Sequence, residues 1–194
     1  MKLLFSLITL MLILNGCANE QQYVEVNSKL KYTMKECKSD AYGVCKTKIV
    51  NKIDKIVVSK KEKILYTYSK GKIVDKFRIS MGKNWNKGHK KKIGDFKTPE
   101  GSYKISYKQF SKNYYKSLKI SYPNNKDRRS ARSEGHSPGG LIMIHGQPKW
   151  NAAGKADGYM LKNDWTAGCI ALRNNDMDRL FYATKSGKPI EIKS

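Results

Sequence analysis

Cys169 and His145 are the residues whose types could make and break an acyl bond. A thiol attacks a carbonyl as its thiolate, and a nearby imidazole is the usual partner that takes the proton. His145 directly follows Leu141-Ile142-Met143-Ile144, so a core strand would hold its ring in a fixed place. Gly168 precedes Cys169 and removes side-chain bulk, which would let backbone N–H groups at 168 and 169 face a substrate oxygen. Each feature also has a plainer reading, since a strand-end histidine is commonly structural and a Gly-Cys pair commonly a turn. The other cysteines sharpen the case. Cys37 and Cys45 flank Asp40-Ala41-Tyr42-Gly43, a stretch able to turn the chain back and pair them, and a disulfide closing so short a loop contributes ~2 kcal/mol. Zinc is the weaker reading there, because no second Cys or His pair stands nearby at ligand spacing. No Cys-x-x-Cys is present, which argues against a thiol oxidoreductase. With Cys17 assigned below, Cys169 is left as the unpaired thiol.

The elements that would position these groups begin after a leader. Met1-Lys2, the apolar run Leu3 to Leu14, and Leu14-Asn15-Gly16-Cys17 have the layout of a secretory signal peptide. The last four residues resemble a bacterial lipobox, which implies cleavage before Cys17 and acyl chains on that residue. An uncleaved anchor is disfavoured, since twelve apolar residues reach only ~18 Å as a helix. The expected organisation is a signal peptide over 1–16, a polar tether with the disulfide loop over 17–51, and one catalytic domain over 52–194.

Within that domain the alternation is that of strands: 56–59, 64–68, 73–80, 101–107, 118–122, 141–145 and 189–192. Ser69-Lys70-Gly71-Lys72 reads as a hairpin turn with Gly71 at positive φ. Short helices are expected after Ser111 and from an Asn175 cap to a stop at Gly187. Many short strands with two or three short helices give a mainly β, largely antiparallel fold. The run Lys90-Lys91-Lys92 and the segment 128–140, which holds His136, read as solvated basic loops.

Taken together, Ile144-His145-Gly146 and Thr166-Ala167-Gly168-Cys169-Ile170-Ala171-Leu172, with Asn174 and Asp176 after them, resemble the active-site pattern of the L,D-transpeptidase (YkuD-type) catalytic domain. The upstream GDFKTPEGSYKI from Gly94 to Ile105 and Pro138-Gly139-Gly140 are similar to that family as well, and the likeness runs from about Ile53 to Ile192. Many members have Ser-His-Gly-Cys where this chain has Thr166-Ala167-Gly168-Cys169, and an arginine where it has Ala171, with Arg173 two residues on. Asp164-Trp165-Thr166 resembles a branch without the second histidine. The resemblance implies an antiparallel β-sandwich and a thioester acyl-enzyme formed on peptidoglycan stem peptides. Cys169 would be the nucleophile and His145 the acid/base. Gly168, Thr166 and Gly146 would give oxyanion or support roles; Trp165 and Arg173 would touch substrate, with His136 a more distant candidate. No metal or cofactor is required for that chemistry.

The expected product is a cross-link or an attached envelope protein if an amine, such as a protein lysine, takes the acyl group. If water takes it, the outcome is hydrolysis, as L,D-carboxypeptidase or as an amidase releasing envelope protein. A non-catalytic envelope-binding lipoprotein is the reading from another class. The charge, 39 Lys and Arg against 16 Asp and Glu, excludes little by itself. For a lipid-anchored protein on the periplasmic side of the cell envelope, it fits anionic lipids and wall polymers rather than nucleic acid.

Overall fold

The computed structural model describes residues 52–194 and, ahead of them, three two-residue strands, Tyr23–Val24 (β1), Tyr32–Thr33 (β2) and Lys48–Ile49 (β3), paired antiparallel in that order. Cys17, Cys37 and Cys45, and with them the lipidation and disulfide expectations, lie outside the described residues.

The domain is built on an eight-stranded sheet. Its strands are Lys55–Ser59 (β4), Ile64–Ser69 (β5), Lys72–Arg78 (β6), Gly101–Phe110 (β7), Lys116–Ile120 (β8), Met143–His145 (β9), Ile170–Ala171 (β10) and Pro189–Lys193 (β11). They run in the order β10-β9-β8-β7-β11-β4-β5-β6. Neighbours are antiparallel except β9 with β10 and β4 with β11, so the expected mainly β, largely antiparallel architecture is observed. Both φ values at the β5–β6 turn are positive, 50° at Lys70 and 74° at Gly71, which matches the right-handed twist of the hairpin. The two ends of the sheet then meet. Ser80, just past β6, exchanges backbone hydrogen bonds of 3.0 and 2.8 Å with Ala171 of β10.

Strand alternation divides this sheet by chemistry. Leu118, Ile144 and Ile170 lie side by side across β8, β9 and β10, and each is fully buried in the core with Ile56, Phe77, Ile105 and Ile190. Their neighbours in sequence therefore face the other way: Lys119, Met143 and Cys169 in one row, Ser117, His145 and Ala171 in the next. Burying apolar surface at ~25 cal/mol per Å² on one face fixes the register, and so fixes which side chains share the opposite face.

Three α-helices complete the domain: Asn125–Ser133 (α1), Asp157–Lys162 (α2) and Asn174–Ala183 (α3). Helix α3 carries Met177, Leu180 and Phe181 into the core. It starts one residue before the Asn175 expected to cap it, with Arg173 at the cap position and no side-chain cap bond. The Asn174 carboxamide is used elsewhere, accepting from Gln147 N–H at 2.8 Å. No helix follows Ser111. Its hydroxyl accepts from the N–H groups of Asn113 and Tyr114, closing a turn, and the chain enters β8 at Lys116. Helix α1, by contrast, occupies a segment expected to be loop. Asn124 Oδ1 accepts from the N–H groups of Lys126 and Asp127 while Asp127 Oδ2 accepts from Asn124 N–H, a reciprocal cap that starts an Arg-rich helix. Lys90 is also a correction. It is 3% exposed rather than solvated, and its ammonium pairs with Asp95 at 2.6 Å.

Candidate active site

Cys169 sits one residue before β10, at the point where β10 leaves the turn 164–168. The β9–β10 register aligns Ile170 with Ile144 and Ala171 with His145. Continued back by one residue, it sets Cys169 beside Met143, with His145 one diagonal step away on the same face. Cys169 is a free thiol, partly exposed, with Sγ 3.6 Å from the Leu141 carbonyl and a bond from the Met143 N–H. Burial pushes its ionisation up. The Met143 N–H and the Lys119 and Lys90 ammonium groups oppose that shift.

The turn before the thiol is braced from three sides. Thr166 is 4% exposed, and its hydroxyl accepts from Gly168 N–H at 3.1 Å while donating to the Cys169 carbonyl at 2.7 Å. Gly168 N–H is thus engaged within the turn and is not the free donor expected of it. Gly168 contributes through its backbone instead: φ is +130°, and an added Cβ would stand 2.5 Å from the Lys97 carbonyl oxygen. Here the segment Thr98-Pro99-Glu100-Gly101 finds its use. Thr98 Oγ1 accepts from Gly82 N–H at 3.0 Å, and the 96–98 backbone lies directly against Gly82 and Gly168. Asp164 ties down the start of the turn, accepting from Met81 N–H at 3.0 Å and pairing with Lys63 at 2.6 Å.

His145 is 1% exposed. Its Nδ1 lies 2.7 Å from the Gly146 carbonyl, which can only accept, so Nδ1 carries the proton and Nε2 is the basic nitrogen. Burial outweighs that bond and lowers the imidazole to about 4, so it is neutral at neutral pH. Gly146 has no room for a side chain: a Cβ would approach Asn174 Oδ1 to 2.6 Å and Tyr115 Cβ to 2.8 Å. Tyr114 stacks on the His145 ring, centroids 4.1 Å apart at 32°, and Trp165 meets it edge-on at 5.7 Å. The Trp165 Nε1–H is buried and has no partner among the described residues, which costs about 1–3 kcal/mol.

Thus Cys169, His145, Gly146, Trp165, Thr166 and Gly168 converge. Arg173 does not join them. It is exposed at the start of α3, where its charge favours the Asp176 carboxylate. His136 lies apart as well, in a surface hollow of about 360 Å³ with Arg128 and Arg132. Tyr114, Lys119 and the Met143 N–H were missed by sequence reasoning. Strict alternation back from Leu118 through Lys116 would set Tyr114 on the core side, so its stacking on the His145 ring had no signal in the strand pattern.

Residues 53–192 match the L,D-transpeptidase catalytic domain family, YkuD. YafK of Escherichia coli, an L,D-transpeptidase by name, is 30% identical over 132 residues, which are 65% of this chain and 45% of YafK. Among solved structures, the helical cell shape determining protein Pgp2 from Campylobacter jejuni is similar with a TM-score of 0.55 and 30% identity, over 75% of this chain and 49% of that one. An L,D-transpeptidase from Mycobacterium tuberculosis shares the fold at a TM-score of 0.50 and 16% identity, over 72% of this chain and 57% of that one. The chain spans about half the length of YafK and Pgp2. With a match across the whole eight-stranded domain and the thiol and imidazole on one face of its sheet, the chain belongs to the L,D-transpeptidase catalytic domain (YkuD) family.

Proposed function

We propose that the protein is a cysteine acyltransferase of the bacterial cell envelope acting on peptidoglycan stem peptides. One observation carries this reading: a free thiol and a buried imidazole of fixed tautomer lie one diagonal step apart on adjacent strands, with the basic Nε2 unengaged by the bond that fixes the ring. At rest the pair is a neutral thiol and a neutral imidazole, since burial raises the one and lowers the other. Proton transfer therefore accompanies attack instead of preceding it as a stored ion pair. Cys169 Sγ bonds to the carbonyl carbon at the L-centre of the diamino acid as its proton passes to His145 Nε2. Cys169 N–H donates to the oxyanion, and the Trp165 ring, set edge-on to His145, helps to line the place of the bound peptide. The intermediate collapses with scission of the C–N bond, His145 returning the proton to the departing D-amino acid. An amine or water then attacks the thioester and restores the thiol.

The amine route yields cross-links or attached envelope protein, and the water route yields trimming or release. A part in cell shape, carried over from what Pgp2 is described as doing, follows from either. Purified protein incubated with tetrapeptide muropeptides, with and without an added amine, separates the routes by mass spectrometry: new dimers or amine adducts against loss of D-alanine alone. Cys169→Ala abolishes all of these, and His145→Ala slows acylation by roughly 10²–10⁴-fold. Wild-type turnover in the Cys169→Ala protein would remove the catalytic assignment and leave an envelope-binding protein.

A further inference from the structure

We propose that Lys119 is a positioning residue for the reaction, its ammonium setting how readily Cys169 ionises. The proposal rests on the reading of Cys169 as the nucleophile. It starts from register. β8 pairs Lys119 with Met143, and the β9–β10 register sets Met143 beside Cys169, so the three side chains form one row on the face opposite the core. Met143 gives the thiol its backbone N–H, and Lys119 stands on the far side of it.

The Lys119 ammonium is held in place by two carbonyl groups, Ile120 O at 2.7 Å and Tyr122 O at 3.1 Å. Carbonyls satisfy an ammonium's donors and favour its charged form without cancelling its charge. No carboxylate pairs with Lys119 among the described residues. Lys90 provides the contrast. Its ammonium also acts on Cys169, yet it is buried against Asp95 at 2.6 Å, so the pair presents little net charge to the thiol. The remaining titratable groups around the sulfur are His145 on β9, which is neutral, and Tyr114, a phenol whose ionisation a thiolate at Cys169 disfavours. Tyr107, opposite Lys119 on β7, is another phenol. Lys119 is therefore the group in the row of Cys169 that contributes an uncancelled positive charge. Burial disfavours the charged form of each partner, and their mutual attraction works against burial at both. Half-buried charges of this kind are less screened by salt than exposed ones. With the imidazole neutral and burial keeping the thiol protonated at rest, this field lowers the cost of the negative charge that develops on sulfur during attack.

The test reads the thiol itself. In the full chain, the rate of iodoacetamide alkylation is followed against pH on the peptide that contains Cys169, which separates it by mass from Cys17, Cys37 and Cys45. Lys119→Gln, which keeps donors for the two carbonyls and removes the charge, is expected to raise the alkylation midpoint by about one pH unit and to slow alkylation below it about tenfold. Lys119→Arg restores the midpoint to near the wild-type value. Lys61→Met, which removes an exposed lysine from the β4–β5 turn, leaves it unmoved. A wild-type midpoint in Lys119→Gln, or an equal shift in Lys61→Met, overturns the proposal. The muropeptide assay on Cys169→Ala stands apart. Retained turnover there would sink the nucleophile assignment even with the alkylation shifts present, and lost turnover with unmoved midpoints would sink only the role of Lys119.

Discussion

Burial of His145 as a neutral ring ties the stability of the domain to pH in a direction opposite to that of a salt-bridged histidine. In the unfolded chain the imidazole takes a proton near its ordinary value of 6.5; in the folded domain it does so only at about 4. As pH falls through 6.5 the unfolded state gains a proton that the folded state refuses. Stability is therefore complete above about pH 7, declines between 6.5 and 4, and is flat in this respect below that. At about 1.4 kcal/mol per pH unit, the gap amounts to about 3 kcal/mol. That is a large share of the ~5–15 kcal/mol that stabilises a typical domain. The perturbation is His145→Gln, whose carboxamide can still donate to the Gly146 carbonyl but does not titrate. Urea unfolding of both proteins at intervals from pH 7.5 to 4 gives the slopes. Asp75 and Asp176, raised by burial, and Asp95, lowered by its N–H and Lys90 bonds, titrate in both proteins, so the difference between slopes isolates the imidazole. Wild type should lose about 3 kcal/mol more than the variant over that range. Parallel slopes would refute the burial argument, and with it the neutral resting pair.

Two further outcomes are expected. Gly168→Ala puts a Cβ 2.5 Å from the Lys97 carbonyl at a φ that suits glycine, so it should cost about 1–3 kcal/mol in thermal unfolding and slow acylation as the turn shifts; an unchanged melting temperature would show the turn to be slack. At the other end of the chain, intact mass of the mature protein should find acyl chains on Cys17, and an unmodified N-terminus at another residue would refute the anchor.

Most strands were legible because each carries its own alternation, and the Lys70-Gly71 turn because positive φ narrows the choice of residue. Helix α1 was not. Its buried side chains are only Asp127 and Ala131, so it has almost no apolar stripe to read, although the Asn124 and Asp127 cap was present in the sequence. Cys169 and His145 could be named from residue type and neighbours, yet their juxtaposition is a matter of register between β9 and a two-residue strand too short to declare itself. Thr166 could be flagged but not understood, since its role depends on Oγ1 bridging two backbone groups of one turn. Lys90 misled by composition: within three consecutive lysines, one turns inward because Asp95 waits there, and a charge run gives no sign of which.

The meeting of Ser80 with Ala171 bears on when the site comes into being. Strand β10 has β9 on one side and, on the other, a segment placed some ninety residues earlier in the chain, so its seat exists only after both ends of the sheet have come round to each other. Contacts of such long sequence separation form against a large loop-closure entropy and tend to come late in folding. A chain emerging gradually or still partly unfolded would therefore carry Cys169 as an ordinary thiol, without the Thr166 brace, the Met143 N–H or the imidazole one step away. Competence for chemistry would arrive in a single step with closure of the sheet, and a change that keeps Ser80 from meeting Ala171 should lower it even with the thiol intact.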